Sequence, residues 1–537
     1  MNIFFIGVII SIGVYLIVGL WAGRSVKNVD DYYVSGRNAP TLLIAGTLFA
    51  SMLSVNGFMG DQGWVYSGNL VSLVLLNSIC AVGYILGPLL FGRYLRRSEC
   101  KTMPQYFGDR FNNFKNRRIA GIITVVSITA YLLACITGIG ILMQELTSLS
   151  LELCLFLAWF CFTGFTFYSG SKGVILTDVI MFFVFLLGSV IAGFYMFGEQ
   201  GGFTSLINNL MENPATPAGM LDYHGNIAGT GASDAFGAMM YTVTMGIVWM
   251  ITVSISPWQA GRNLMAKSEH VTFRSGAIAA ILTVLFLLYL NLTSVAVINI
   301  YPGMEDPQRV QIWAAFNVMP KLVGTLLLAG IMAAGLSSAS TFLSVIGFSI
   351  TTDIFPIEFK NDKQQLFVSR VVMLVVGVLA LLLSYMGLGG IRIISWFAST
   401  TIAASWAVPG VGSVVSKKLS STGARWSMIT GFVGFIVCRF LVGFNIAPFH
   451  YIFINFLDPF FIGLYLSFLF AVIGSKMHPV TEIEKSYRNR IMVLPLSEQV
   501  ASDYAINRVY GYILIAAGIL TSLFLLYGWA LPYNKLI

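Results

Sequence analysis

Long apolar runs separated by short polar stretches fill this sequence from end to end. Each run is about 20 residues long, which is the length of helix that crosses the hydrocarbon core of a bilayer. The runs predict about 14 membrane-spanning helices, at roughly 3–23, 41–67, 70–92, 119–146, 149–168, 173–198, 236–258, 275–300, 322–354, 368–386, 391–416, 426–444, 452–475 and 509–531. The pattern therefore predicts an all-α polytopic membrane protein with a single transmembrane domain over residues 1–537.

Charged residues are scarce and unevenly placed. They form 10% of the chain, whereas soluble domains contain about 25%. Most of the 31 Lys and Arg residues fall in alternate loops, and loops rich in these residues stay in the cytoplasm. This rule assigns Arg262 to a cytoplasmic loop and Arg392 to an outer one. Both termini are then expected on the extracellular or periplasmic side of a cell membrane, most simply the cytoplasmic membrane of a bacterium.

Several other classes of protein are disfavoured by the same composition. The net charge of +8 does not indicate a nucleic-acid partner, because the basic residues are dispersed over short loops beside lipid headgroups. The six cysteines show no CxxC or CxxH spacing, so neither a disulfide framework nor a zinc site is predicted. No GxxxxGK[ST] motif is present, and titratable groups within the apolar runs are too sparse for an enzyme.

One apolar run carries a row of hydroxyl groups. Within 333–353 the hydroxyls are spaced so that one helix face bears them all, and they belong to Ser337, Ser338, Ser340, Thr341 and Ser344. A bare hydroxyl in hydrocarbon is unfavourable unless it is bonded, and a cluster of hydroxyl oxygens suits a dehydrated hard cation. The alternative is close helix packing, with each hydroxyl bonded back to its own helix.

Two of the predicted helices contain features that interrupt a regular helix. Asn56 and Asp61 lie among Gly57, Gly60 and Gly63, and glycines at this density favour unwinding. The run at 236–258 ends at Pro257, which removes a helical hydrogen bond. Unwound backbone at membrane depth is tolerated only where it lines a cavity inside the protein.

The two interrupted helices start two blocks of five helices each, 41–198 and 236–416. An odd number of crossings inverts the second block relative to the first, and paired broken helices indicate an inverted-repeat transporter with a site at the midplane. The outer loop 199–235 separates the blocks. One extra helix with its loop precedes them at 1–40, and about three extra helices follow at 417–537.

Acidic side chains lie within two apolar runs. Asp178 is about two turns, or roughly 9 Å, beyond Lys172, and an acid at that depth needs a partner. The partner is either a cation shared with hydroxyls of another helix, or a backbone donor or the Lys172 ammonium. By the same argument Asp61 indicates a functional site. The alternative is that its helix ends near residue 60, so that the carboxylate is exposed to extracellular water.

Four segments taken together resemble the solute:sodium symporter family. They are DDYYVSGR at 30–37, KTMPQYFGDRF at 101–111, SGSKGVILTD at 169–178 and SPWQAGRNLMAKSEHVTFRSG at 256–276. Each motif is weak alone, but their order and topology match the family over about 24–420. The resemblance implies the five-plus-five inverted repeat of a leucine transporter and sodium-coupled symport of a small organic solute by alternating access.

The resemblance also implies the positions of the sodium ions. A first sodium would be held by backbone carbonyls of Ala50, Leu53 and Ala334 and by the hydroxyls of Ser337 and Ser338. Some members of the family hold a further sodium with residues that match Asp178, Ser340 and Thr341. One or two Na⁺ ions per solute are thus expected, and a passive channel or a transporter-like sensor with the same fold is the alternative function.

The solute pocket of such folds lies where the two broken helices meet. On this basis the candidate solute-binding residues are Ser54, Asn56, Asp61, Trp64, Asn77, Tyr131, Trp249 and Gln259. Aromatic walls with a few polar groups suit a small, partly apolar solute. The run at 119–146 contains no Lys or Arg, so an anionic solute has no evident cationic partner there. The identity of the solute and the oligomeric state are left open.

Overall fold

The computed structural model describes residues 3–443 and 458–536, apart from the single positions 25, 27, 356 and 388. These residues form helices joined by short loops, with no named strand among them. The main helices, in chain order, are α1 Ile3–Gly23, α2 Thr41–Met52, α3 Asn56–Tyr66, α4 Leu70–Ser98, α5 Phe114–Thr147, α6 Leu151–Gly198, α7 Ala235–Ile255, α8 Glu269–Ile300, α9 Lys321–Ile354, α10 Asp362–Ser384, α11 Ile391–Val415, α12 Ser421–Gly443, α13 Pro459–Met477 and α14 Ala501–Tyr533.

The predicted all-α membrane fold is confirmed. Within the described residues, 12 helices are long and apolar enough to span a membrane, and the bent pair α2 and α3 makes 13. The predicted spans 149–168 and 173–198 appear as one helical run, α6, with a shorter apolar part at Leu151–Gly164 and a full span at Lys172–Gly198. The start of the predicted 452–475 span lies outside the described residues.

The break in the first interrupted helix is not at its glycines. The chain bends by 55° between α2 and α3, where Leu53 leaves the helical conformation. Gly60 and Gly63 lie within helix, where they allow close approach: a Cβ on Gly63 would meet the backbone of Gln308 at 2.8 Å. The glycine cluster therefore permits packing against the connection between α8 and α9, and the break precedes it.

The second break lies where Pro257 predicts it. Helix α7 ends at Ile255, and Ser256 is extended, with φ −67° and ψ 152°. A residue before proline is pushed out of the helical region because the proline ring crowds its backbone. A 3-10 helix, Ala260–Met265, continues the chain after the break.

The core is built around α9, which is buried along most of its length and packs against α5 and α6. Helices α2 and α3 lie against α8, α9 and α6. The additional helices are peripheral: α1 packs on α6 and α9, α12 and α13 pack on each other, and α14 touches the bundle chiefly through α8. Both breaks are thus enclosed by protein, as backbone that is not helical requires at membrane depth.

Candidate functional site

A buried carboxylate links three helical elements at the centre of the protein. Asp178 of α6 is 0% exposed. Thr47 of α2 donates a hydrogen bond to its Oδ2 at 2.6 Å, and Ser337 of α9 donates to its Oδ1 at 2.7 Å. The Nη2 atom of Arg262 lies 3.2 Å from Oδ2. A carboxylate so far from water needs this combination of donors and positive charge.

Arg262 lies in the connection between α7 and α8, as the loop pattern predicts, but its burial was not predicted. It is 3% exposed, and its Nη2 also donates to Thr341 Oγ1 at 2.5 Å. The reason is the break at Pro257: the chain beyond it forms a short 3-10 helix inside the protein, from which the long guanidinium side chain reaches Asp178.

The hydroxyl row on α9 does not act as one ligand face. Ser340 Oγ donates to the carbonyl of Ser337 at 2.9 Å, and Ser344 Oγ donates to the carbonyl of Ser340 at 2.9 Å. The packing alternative therefore describes these two residues. Ser337 is used by Asp178, while Ser338 Oγ is fully buried and has no hydrogen-bond partner among the described residues.

The residues expected at the second sodium site already enclose a cation. Asp178 and Thr341 are brought together, but the Arg262 guanidinium lies between them and bonds both. Ser340 faces its own helix through its bond to Ser337. These residues do not fit a sodium ion in the present arrangement.

The residues expected at the first sodium site are arranged differently. Thr47 and Ser337 both donate hydrogen bonds to the Asp178 carboxylate. The Val55 side chain packs closely on Gly335, where an added Cβ atom would be only 2.5 Å from it. The α2–α3 break is thus held against the 335–338 stretch of α9. Ala50 and Leu53 lie between these two contacts.

The regular helical hydrogen bonds are interrupted at this break. The N–H of Ser54 bonds the carbonyl of Met52, and the N–H of Gly57 bonds that of Ser54. These N–H groups would bond the carbonyls of Ala50 and Leu53 in a regular α-helix, and they are engaged elsewhere here. Neutral carbonyl and hydroxyl oxygens, including the unpartnered hydroxyl of Ser338, are suitable ligands for a dehydrated hard cation.

An aromatic wall stands beside the same break. Ser54 Oγ lies 3.3 Å from Tyr131 Oη, and the Tyr131 ring centroid is 6.4 Å from that of Trp249 and 5.7 Å from that of Trp258. Trp258 was missed by the sequence interpretation, although its position next to Pro257 could have indicated it. Its indole N–H is buried without a partner among the described residues.

Gln259, which follows the second break, forms hydrogen bonds to α2 and α4. Its Nε2 lies 3.3 Å from both the Leu48 carbonyl and Ser51 Oγ of α2, while its Oε1 accepts a hydrogen bond from Tyr84 Oη at 3.2 Å. Asn77 lies apart from this group: it lines a small cavity with residues of α8 and α14, including Val284 and Thr521.

A separate cluster covers the α3 side of the break. Asn56 Nδ2 donates to Asp61 Oδ2 at 3.0 Å, and Arg392 Nε lies 3.9 Å from Asp61 Oδ1. The Arg392 guanidinium stands 3.6 Å from the ring centroid of Trp64 and 3.8 Å from that of Trp396. Arg392 was expected in an outer loop, but its guanidinium packs against the rings of Trp64 and Trp396 inside the protein.

A cavity reaches the site from the opposite side. It is lined by Lys101 and Thr102 of the loop after α4 and extends to Trp258, Arg262 and Thr341. The centre is therefore approached from the side of the basic loops, while the Arg392 cluster covers the other side.

Comparison with known proteins identifies the family. The model of the Sodium:solute symporter family matches residues 32–431. The chain belongs to this family. It is 24% identical to the osmoregulated proline transporter OpuE of Bacillus subtilis, over 79% of this chain and 87% of the relative. It is likewise 24% identical to the sodium/pantothenate symporter of Haemophilus influenzae, over 79% and 87%, and to the sodium/proline symporter of Escherichia coli, over 79% and 85%.

Solved structures confirm the fold. A Na⁺-coupled sialic acid symporter in a substrate-bound, outward-open state matches with a TM-score of 0.70 at 18% identity, over 90% of this chain and 99% of that chain. Mhp1, a nucleobase-cation-symport-1 family transporter, matches with a TM-score of 0.52 at 13% identity, over 86% and 98%. The protein is a sodium-coupled membrane symporter of a small organic solute and not an enzyme.

The Asp61 and Arg392 pair offers a test of the Arg392 cluster. We expect Asp61→Asn and Arg392→Gln each to lower the thermal midpoint of the purified protein, because each leaves a partly buried charge without its partner. The double variant should be more stable than the sum of the single effects predicts, by about 0.5–3 kcal/mol.

Arg309→Gln serves as the control, because Arg309 pairs with Glu145 at a more exposed position and should contribute no more than about 1 kcal/mol. Strictly additive effects of Asp61→Asn and Arg392→Gln would show that the two charges are not coupled.

Proposed function

We propose that the protein imports a small, partly apolar solute without net charge together with Na⁺, and that the solute binds at the α2–α3 break beside Tyr131. The observation that carries this proposal is the pairing of the buried charges with one another. Asp178 is paired with Arg262, and Asp61 with Arg392. Each pair is therefore neutral overall and has no unpaired charge that could bind an anionic or a cationic solute.

The proposed pocket has an apolar side and a polar side. Tyr131, Trp249 and Trp258 supply the apolar side, which suits an aliphatic ring or chain. The hydroxyl of Ser54 and the unpartnered indole N–H of Trp258 supply the polar side. The N-terminus of α3 also points into the break and favours the carboxylate end of a solute.

These features favour a zwitterion such as an amino acid. Two of the named relatives are proline transporters, and proline is such a zwitterion, whereas the pantothenate of the third is an anion. Within this proposal, Gln259 holds the two broken helices together, whereas Asn56, Asp61 and Trp64 form the outer barrier. Asn77 has no direct role in solute binding.

We place the sodium ion at the first predicted site. Its proposed ligands are the carbonyls of Ala50, Leu53 and Ala334 and the hydroxyls of Ser337 and Ser338. The support is the buried, unpartnered Ser338 hydroxyl, together with a break at which the usual helical donors to the Ala50 and Leu53 carbonyls are engaged elsewhere. A sodium ion here would join the α2–α3 break to α9 and so couple ion binding to the shape of the solute pocket.

A closed outer side and a cavity from the basic loops favour alternating access over a passive channel. We further propose that the Lys101 side is cytoplasmic and that both termini are outside. This orientation follows from the predominance of Lys and Arg in the loops of that side.

Uptake into proteoliposomes tests the function. We expect an inward Na⁺ gradient to drive accumulation of at least one neutral amino acid or related zwitterion, with proline as the first compound tried and pantothenate as an anionic comparison. The same Na⁺ concentration on both sides, without a membrane potential, should abolish accumulation. Accumulation of anionic or cationic solutes alone would contradict the proposed pocket, and equal transport with choline in place of Na⁺ would contradict sodium coupling.

The sodium site is tested by a pair of variants on one helix. Ser338→Ala should weaken the dependence of thermal stability on Na⁺, because it removes a ligand that has no other partner. We expect a tenfold or greater rise in the Na⁺ concentration needed, which corresponds to about 1.4 kcal/mol or more.

Ser344→Ala is the matched control, because the Ser344 hydroxyl bonds back to its own helix. Equal Na⁺ responses of Ser338→Ala, Ser344→Ala and the unmodified protein would exclude Ser338 as a ligand.

A further inference from the structure

The second cation position in this protein is filled by a residue of the chain itself. Arg262 Nη2 donates to Thr341 Oγ1 at 2.5 Å and lies 3.2 Å from Asp178 Oδ2. These are two of the residues that would hold a further sodium ion. The guanidinium therefore makes the contacts that the ion would make.

The oxygen atoms at this position have few free acceptor positions for a further ligand. A carboxylate offers about four acceptor positions, and Asp178 already accepts hydrogen bonds from Thr47, Ser337 and Arg262. The Ser340 hydroxyl is bonded to the carbonyl of Ser337. A sodium ion that entered here would have to displace these donors.

Charge repulsion opposes the same event. A sodium ion about 4 Å from the guanidinium would bind roughly 10³-fold more weakly than without it, for an effective dielectric constant near 20. An arginine side chain does not lose its proton in a protein, so this repulsion is present at every stage of a transport cycle.

We propose that Arg262 is a tethered cation that replaces a second sodium ion, so that one Na⁺ accompanies each solute. The inference rests on the sodium-coupled symport proposed above. Arg262 balances Asp178 without crossing the membrane, so only the ion near Ser338 uses the membrane potential and the sodium gradient.

The number of coupled ions sets how far a neutral solute can be concentrated. With a potential of 100 mV and a tenfold sodium gradient, one ion supports accumulation of about 500-fold, and two ions support about 10⁵-fold. The two cases are far enough apart to be separated by measuring the limit of accumulation.

The test measures this limit and the binding of ²²Na⁺ with the full-length protein. We expect one bound sodium ion per chain and accumulation of about 500-fold under the conditions above. Arg262→Gln should expose Asp178 and raise the sodium count towards two, with a steeper dependence of uptake on Na⁺. Arg262→Lys should keep the count at one, because the charge is retained.

Two further variants serve as controls for indirect effects of the substitution on the sodium count. Asp178→Asn combined with Arg262→Gln removes both charges and should keep the count at one. Arg117→Gln breaks a different buried pair, with Asp353, and should leave the count unchanged. Arg262→Gln alone leaves the buried charge of Asp178 without a partner, so this variant can fail to fold. In that case the sodium count of the unmodified protein tests the inference.

Two sodium ions bound and coupled in the unmodified protein would overturn the inference while leaving symport intact. A sodium count of one in folded Arg262→Gln would also overturn it, because Asp178 would then not be a latent ion site. Absence of any sodium-driven uptake would instead refute the proposed function.

Discussion

The fold depends on balancing one buried negative charge. Asp178 lies in the middle of the bundle, where an isolated carboxylate would be strongly destabilising. Its compensation comes from three different elements: Thr47 before the first break, Arg262 after the second break, and Ser337 of α9. The same contacts that stabilise the charge therefore set the relative positions of both broken helices and the most buried helix.

This arrangement relates ion binding to conformational change. The proposed sodium ligands lie within two turns of Thr47 and Ser337 along the chain, so an ion at Ser338 would strengthen the contact between the α2–α3 break and α9 that Asp178 already makes. A ligand shifts a conformational equilibrium only through its different affinities for the two states. Sodium would favour whichever state keeps this contact closed, and the solute pocket beside Tyr131 is formed by the same break.

Local patterns predicted much of the architecture. Apolar run lengths predicted the helices, Pro257 predicted the second break, and the depth of Asp178 predicted that it needs a partner. Each of these depends on nearby residues and on the bilayer, which act similarly in any membrane protein.

Long-range contacts were not predictable in the same way. Arg262 and Arg392 were assigned to loops because their positions along the chain follow or precede apolar runs, but their side chains turn inward to acids on other helices. The hydroxyls of α9 share one helix face in sequence, yet Ser340 and Ser344 bond their own backbone, as Ser hydroxyls in helices commonly do, and Thr341 is bonded by Arg262. Asn77 has the right polarity for a pocket residue, but the packing of α4 places it beside α8 and α14.

A cryo-electron microscopy map of the protein in Na⁺, at a resolution that shows bound ions, tests the central account most directly. The account predicts one ion, between the carbonyls of the α2–α3 break and the hydroxyl of Ser338, with the Arg262 guanidinium still between Asp178 and Thr341. An ion bound directly to Asp178 and Thr341, with Arg262 turned away, would contradict it.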